Sequence, residues 1–339
     1  MVLVMAKIIK PAGYKTMLDL KETQKAIKAT KDCFQNNLAR ELNLTRVSAP
    51  LFVDSESGLN DDLNGSERAV SFDVRETGRV LQIVHSLAKW KRYALKEYDF
   101  ASGQGIYTDM NAIRRDEDTD NIHSIYVDQW DWEKVIEKEE RTEETLRDIV
   151  KKIYSVFKTT EDFIIEKYPF LTKRLPEDIT FITTQELEDM YPDLTGKERE
   201  HRISKDKGAV FIMQIGGVLK SGDKHDGRAP DYDDWQLNGD IIFYDDLLDI
   251  PFEVSSMGIR VSEESMRAQL KAANCTEREN LPFHRDLLAG KLPYTVGGGI
   301  GQSRICMFML HKAHIGEVQS SEWPKEMVDE CRAAGINLL

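Results

Sequence analysis

TVGGGIGQSRICMFML, residues 295–310, is the stretch on which the fold turns. A β-branched start, three consecutive glycines and an apolar run predict a strand over 295–299, a glycine-rich turn and an apolar helix from about 301 to 311. Glycines let backbone approach a ligand closely. Arg304 would leave the first turn of that helix, where a fixed guanidinium suits a nucleotide phosphate or the face of an adenine. The stretch lacks the Gly-Lys-Ser/Thr ending of a Walker A loop, and no βαβ unit surrounds it as a dinucleotide-binding fingerprint requires. Taken alone, it reads equally well as a glycine-rich turn with one exposed arginine.

The elements upstream set the class. Residues 15–42 read as a long amphipathic helix, with Leu20, Ile27, Phe34, Leu38 and Leu42 at near-helical intervals. A strand is expected over about 46–53, entered before Pro50, and another over 79–84. A helix over 85–98 carries Lys89, Lys91 and Arg92. Residues 106–110 and 124–132 are strand-like with a charged, turn-rich segment between them, and 139–168 is the longest helical pattern. A buried strand is expected at 209–215, and 240–244 with 252–255 read as paired strands across an acidic turn. Strands and helices do not alternate strictly. The expected class is therefore α+β, a largely antiparallel sheet flanked by helices. Without repeats, low-complexity tracts or a Pro/Gly-rich linker, residues 1–339 read as a single catalytic domain with an insertion at about 134–207.

Composition narrows the function classes. The 339 residues hold 46 Lys and Arg against 59 Asp and Glu, a net charge of −13 that argues against broad phosphate-backbone binding and predicts no nucleic-acid partner. No apolar stretch approaches the ~20 residues of a spanning helix, so no membrane association is expected. The start, MVLVMAKIIK, has neither a basic region before its apolar patch nor a small-residue cleavage pattern after it. Cys33, Cys275, Cys306 and Cys331 show no zinc-type spacing, and a reducing cytoplasm fits them. His311 and His314 could share a helix face but read as ordinary surface or core histidines.

Two further segments carry chemistry. In AIRRDEDTDNIHSIYVDQWDWE, residues 112–133, an arginine and acidic cluster sits between strands, and Gln129, Asp131 and Glu133 alternate onto one face of the return strand. An amide and two carboxylates are costly to bury without a ligand, a cation or other partners. In RAPDYDDW (228–235) and LNGDIIFYDDLLDIPFEVSSMGIR (237–260), Asp240 and Glu253 fall on neighbouring strands and Arg260 closes the segment. Two facing carboxylates repel each other, and a Mg²⁺ carried by nucleotide phosphates would resolve the conflict.

Together these segments resemble the catalytic core of class II aminoacyl-tRNA synthetases. The long helix and the strand ending in VSAP (47–50) resemble motif 1, the dimer-building element of that superfamily. Arg114 and its acidic loop resemble motif 2, and GGGIGQSR (297–304) resembles motif 3. HSLAKWKR (85–92), YVDQWDWE (126–133), APDYDDW (229–235), LNGD (237–240), SSMGIRV (255–261) and GGGIGQSR, in that order, resemble the ammonia-dependent asparagine synthetases, from about residue 15 to the C-terminus. The resemblance implies ATP-dependent amidation of L-aspartate by ammonia through a β-aspartyl adenylate, releasing AMP and diphosphate. It implies Asp61, Lys89 and Arg114 as catalytic residues. Asp61, Lys89, Gln129, Asp131, Ser256 and Arg260 would hold aspartate, and Arg114, Asp233, Asp240, Gly299, Gly301 and Arg304 would hold ATP. Asp240 and Glu253 would take Mg²⁺, and the partners would be L-aspartate, ammonia, ATP and a second copy in a homodimer. Motif 2 departs from the synthetase pattern in two ways. It reads Arg114-Arg115, so either arginine could meet the phosphate, and Tyr126 or Val127 stands where an adenine-stacking aromatic is expected.

Ammonia arrives mostly as ammonium and needs an anion, and a base to take its proton. Asp61 is the candidate, with Asp131 next. Two other readings are an aspartyl-tRNA synthetase-like enzyme, which would need an anticodon-binding barrel of ~100 residues ahead of motif 1, and a non-catalytic paralogue sensing aspartate or nucleotide, which would be expected to have lost an arginine or an acidic ligand.

Overall fold

The computed structural model describes residues 8–60 and 67–339. Eleven strands and nine helices are formed among them. Helix α1 (Leu20–Leu42) is followed by strands β1 (Leu44–Arg46), β2 (Phe52–Asp54), β3 (Ser71–Asp73) and β4 (Val80–Ile83), then by α2 (Ala88–Glu97), β5 (Gly105–Ile113) and β6 (Tyr126–Val135). Between β6 and β8 (Ala209–Met213) lie α3 (Glu143–Lys167), β7 (Thr180–Thr183), α4 (Thr184–Met190) and α5 (Gly196–Lys207). The chain ends with β9 (Asp233–Asp245), β10 (Ile250–Arg260), α6 (Glu263–Ala272), α7 (Pro282–Leu288), β11 (Thr295–Gly301), α8 (Gln302–Met309) and α9 (Lys325–Ala333).

Eight strands form one sheet in the order β1-β5-β6-β11-β10-β9-β8-β7, and β2-β4-β3 form a small second sheet. The central pairings, from β5–β6 through β9–β8, are antiparallel, and only the outermost, β1–β5 and β7–β8, are parallel. The expected α+β class with a largely antiparallel sheet is the architecture found. On β6, Trp130 and Trp132 point to the helical face. Phe34 of α1 stacks on Trp130 at 4.8 Å between ring centroids and meets Phe157 of α3 at 4.9 Å. Residues 129, 131 and 133 are left for the opposite face.

Three expectations are corrected. The single strand over 46–53 is two short strands in different sheets, because Pro50 has no N–H to continue a ladder. The glycine-rich turn is absent: residues 295–301 are all strand, held extended because β6 and β10 pair with both edges of β11. The apolar stripe of α1, read as a dimer surface, is covered within the chain, where Ala26, Phe34, Leu38 and Leu42 are buried beneath α3 and α8.

The glycines of β11 make room for their neighbours. A Cβ at Gly297 would lie 2.0 Å from Glu133 Oε2, and one at Gly299 would lie 2.3 Å from Gln129 Oε1. Overpacking of this kind costs about 1–3 kcal/mol, and here it also pushes on a buried carboxylate. Gly297→Ala is expected to lose at least about 2 kcal/mol in urea unfolding, whereas Gly217→Ala, with nothing within 4 Å of its Cβ position, should stay within about 0.5 kcal/mol of the parent.

Candidate functional site

A cleft of about 320 Å³ opens on the polar face of the central strands. Its floor follows from strand register. Gln129, Asp131 and Glu133 of β6 stand opposite Gly301, Gly299 and Gly297 of β11, and the glycines at 297 and 299 leave the space that the Glu133 and Gln129 side chains occupy. The carboxylate of Glu133 is fully buried. It accepts from Arg260 Nε at 3.0 Å and Nη2 at 2.8 Å, and from Thr295 Oγ1 at 2.7 Å, with Lys91 Nζ 3.4 Å away. Burial pushes this carboxyl up, but Arg260 and Lys91 outweigh it and hold it below the usual range. Asp131 accepts from Lys91 and, at 3.2 Å, from Leu87 N at the start of α2. The polar face is thus buried with cations of its own, Lys91 from α2 and Arg260 from the end of β10.

The other end of the cleft gathers arginines. Arg114 extends from the β5–β6 loop and lines the cleft, whereas Arg115 is not among its lining residues. Arg304, in the first turn of α8, donates from Nη1 to Glu253 O at 2.8 Å. Burial pushes the Glu253 carboxyl up, but the charges of Arg304, Lys197, Arg228 and Arg114 bring it below its ordinary value. Tyr126 and Val127 also line this end, as do Gly299 and Gly301.

Arg228 joins the two ends. It donates to Ser256 Oγ through Nη1 and to Asp240 Oδ1 through Nη2 at 2.6 Å. Burial pushes Asp240 up to about 6, with Arg228 opposing the rise and Glu253 adding to it. The sequence carried only a faint signal for Arg228, a lone arginine ahead of three aspartates. Which of them it would serve depends on the loop that returns it to the sheet.

Of the residues expected from sequence, Arg114, Gln129, Asp131, Asp233, Asp240, Glu253, Ser256, Arg260, Gly299, Gly301 and Arg304 all line the cleft. Asp233 is paired with Arg260. Lys89 is not among the lining residues. It is buried, with Nζ 3.1 Å from Asp231 Oδ2 and 3.2 Å from Asn60 O. Asp61 lies outside the described residues.

The family model for aspartate–ammonia ligase matches residues 21–335. An aspartate–ammonia ligase of Ruminiclostridium cellulolyticum is 66% identical over 336 residues, and one of Clostridium perfringens is 67% identical over 336 residues. Each alignment covers 99% of this chain and 100% of the relative. Among solved structures, asparaginyl-tRNA synthetase from Pyrococcus horikoshii complexed with asparaginyl-adenylate matches with a TM-score of 0.65 at 12% identity, over 89% of this chain and 70% of that one. A putative aspartyl-tRNA synthetase from Leishmania major matches at 0.62 and 14% identity, over 88% and 64%. At such identities the likeness shows the fold, that of the class II synthetase core. With the family model spanning nearly the whole chain and relatives two-thirds identical from end to end, this chain belongs to the aspartate–ammonia ligase family.

Proposed function

We propose that the cleft converts L-aspartate, ATP and ammonia to L-asparagine, AMP and diphosphate. The observation that carries this reading is the cleft's division into two poles that meet at Arg228. One is a buried set of amide, carboxylates and cations suited to a small zwitterion. The other brings the guanidinium groups of Arg114, Arg228 and Arg304 to one end of the cleft, beside Asp240 and Glu253 and with Lys197 nearby, a cluster of fixed donors that suits a triphosphate.

The chemistry explains the arrangement. A carboxylate resists attack by an amine because its leaving group would be oxide. Transfer of AMP to the β-carboxylate, with departure of diphosphate, supplies a stable leaving group for ammonia to displace. Arg114 and Arg304 hold the phosphates, with Arg304 also offered to the adenine face, and their fixed charge stabilises negative charge developing at the α-phosphorus. Gln129, Asp131 and Ser256 orient the aspartate. Arg260, held between Glu133 and Asp233, gives that pole a fixed cation, and its pairing favours the aspartate end for Asp233. Lys89 belongs to this pole only through Asp231.

Asp240 and Glu253 fit a Mg²⁺ that arrives with ATP, since this ion takes one or two carboxylates together with phosphates and water. Burial raises Asp240 and the charge of Glu253 adds to the rise, and a cation between them would relieve both. When bound, the ion would neutralise charge on the phosphates. Ammonia is left to Asp61, because Asp131 is already paired with Lys91 and assigned to orienting the aspartate. We read the chain as one catalytic domain, with residues 134–207 as an elaboration that brings Lys197 to the phosphate end.

A homodimer is also proposed. Its support is the apolar patch just after VSAP, where Leu51, Phe52, Phe72 and Val80 are exposed on the small sheet and Phe52 packs edge-on against Phe72 at 5.3 Å. Sedimentation should give about twice 38.9 kDa for the parent, and a monomer for Phe52→Glu combined with Phe72→Glu. A parent that sediments as a monomer at micromolar concentration would sink the dimer.

The activity itself is tested by AMP release from ATP. Aspartate plus ammonium should support it and yield asparagine, and glutamine or tRNA in place of ammonium should not; AMP formed only with tRNA would overturn the reading. Arg304→Lys exchanges a planar fork for a point charge and should raise the ATP KM by at least ~10-fold with the fold intact. Unchanged ATP kinetics would remove Arg304 from the site.

A further inference from the structure

One buried carboxylate on the lining of the cleft has no part in the chemistry above. Asp128, on β6 next to Gln129, is 7% exposed. Its Oδ1 accepts from Ser303 N at 3.0 Å and Gln319 Nε2 at 3.2 Å, and its Oδ2 accepts from Ser303 Oγ at 2.9 Å and Lys31 Nζ at 2.9 Å. Four segments meet on this group: its own strand, α1 through Lys31, the first turn of α8 through Ser303, and the C-terminal segment through Gln319.

The need for such an anchor follows from the local sequence. Gly301, at the N-cap of α8, has no side chain to satisfy the first free N–H groups of the helix. Asp128 supplies that cap from another strand, with a negative charge at the positive end of the helix dipole. On the other flank Gln302 Nε2 donates to Asp109 Oδ1 at 2.9 Å. Residues 302 and 303 are therefore both tied to strands, and the next residue is Arg304. Its guanidinium, which donates to Glu253 O, extends from a helix turn that Asp128 holds through Ser303.

We propose that Asp128 is a positioning residue for the reaction: it fixes the first turn of α8, and through it the Arg304 guanidinium, against α1 by way of Lys31. The inference rests on the reading of Arg304 as an ATP ligand. A site group displaced by about 1 Å can lose ~10²-fold in rate, so loss of the anchor should be felt at ATP and little at aspartate.

The test is a double-mutant cycle on the full-length protein. Asp128→Asn keeps the shape but sets an amide N–H against Lys31 and Ser303. It should raise the ATP KM by ~10-fold while the aspartate KM stays within ~3-fold. In an Arg304→Ala background the same change should alter the ATP KM by less than ~2-fold, because the anchored group is gone. Adding Lys31→Met to Asp128→Asn should restore part of the ATP KM by removing the opposed donor. An equal loss in both backgrounds, or equal shifts for both substrates, would overturn the proposal. An Arg304→Ala variant with normal ATP use would overturn the site reading along with it, whereas a defective Arg304→Ala with no coupling to Asp128 would overturn the anchor alone. Should Asp128→Asn melt at the assay temperature, Lys31→Met alone decides. It should raise the ATP KM by ~3-fold in the parent and not in Arg304→Ala; no rise in the parent overturns the proposal.

Discussion

The rest of the site depends on a carboxylate that has no water. Glu133 sits at the centre of the sheet with 0% exposure, where an unpaired charge would cost several kcal/mol. It is tolerable only because Arg260, Lys91 and Thr295 converge on it, and because residue 297 has no side chain to occupy the same space. These partners come from β10, α2 and β11. One buried charge thereby fixes the relative placement of the strands and the helix that enclose the aspartate pole. Arg260 is stabilised in return, with a carboxylate on each side, so the cation offered to that pole cannot swing away.

The other end of the cleft is built from arginines brought together from separate segments. Glu253, half-buried there, is pushed up by burial but drawn below its ordinary pKa by Arg304, Lys197, Arg228 and Arg114. In the proposed reading these groups are fixed in place before an anionic ligand arrives, so little reorganisation is needed when the reaction proceeds. Arg228 donates to both Ser256 and Asp240, and in the proposed reading the α-phosphate and the β-carboxylate meet beside it.

Residues outside the core of the fold support both poles. Arg141, just before α3, donates to the backbone oxygen of Arg260 and, at 2.8 Å, to Asp234 Oδ2. Lys197 of α5 pairs with Asp226 at 3.0 Å in the loop that carries Arg228. The segment between β6 and β8 is thus tied to both ends of the cleft, and its helix α3 also covers the hydrophobic stripe of α1.

The sequence by itself determined what is local or periodic. The alternation on β6 placed Gln129, Asp131 and Glu133 on one face, the 3.6-residue spacing gave α1 and α3, and the order of motifs gave the family. Residue spacing put Asp240 and Glu253 on neighbouring strands, and the resemblance carried by the motifs implied Arg114 and Arg304 beside them. Only the tertiary structure decided the pairings. The glycines at 297 and 299 clear space for Glu133 and Gln129, which depends on strand register between segments 164 and 170 residues apart in the chain. Lys91, rather than Lys89, meets the polar face, and Lys89 goes to Asp231; both lie on one short helix, and the helix's rotation selects between them. Arg228 and Asp128 gain their roles from partners distant in sequence. Hydrophobic and strand periodicities act over a few residues and can be read along the chain, whereas the partner of a buried charge is set by where the folded backbone brings opposite charges together.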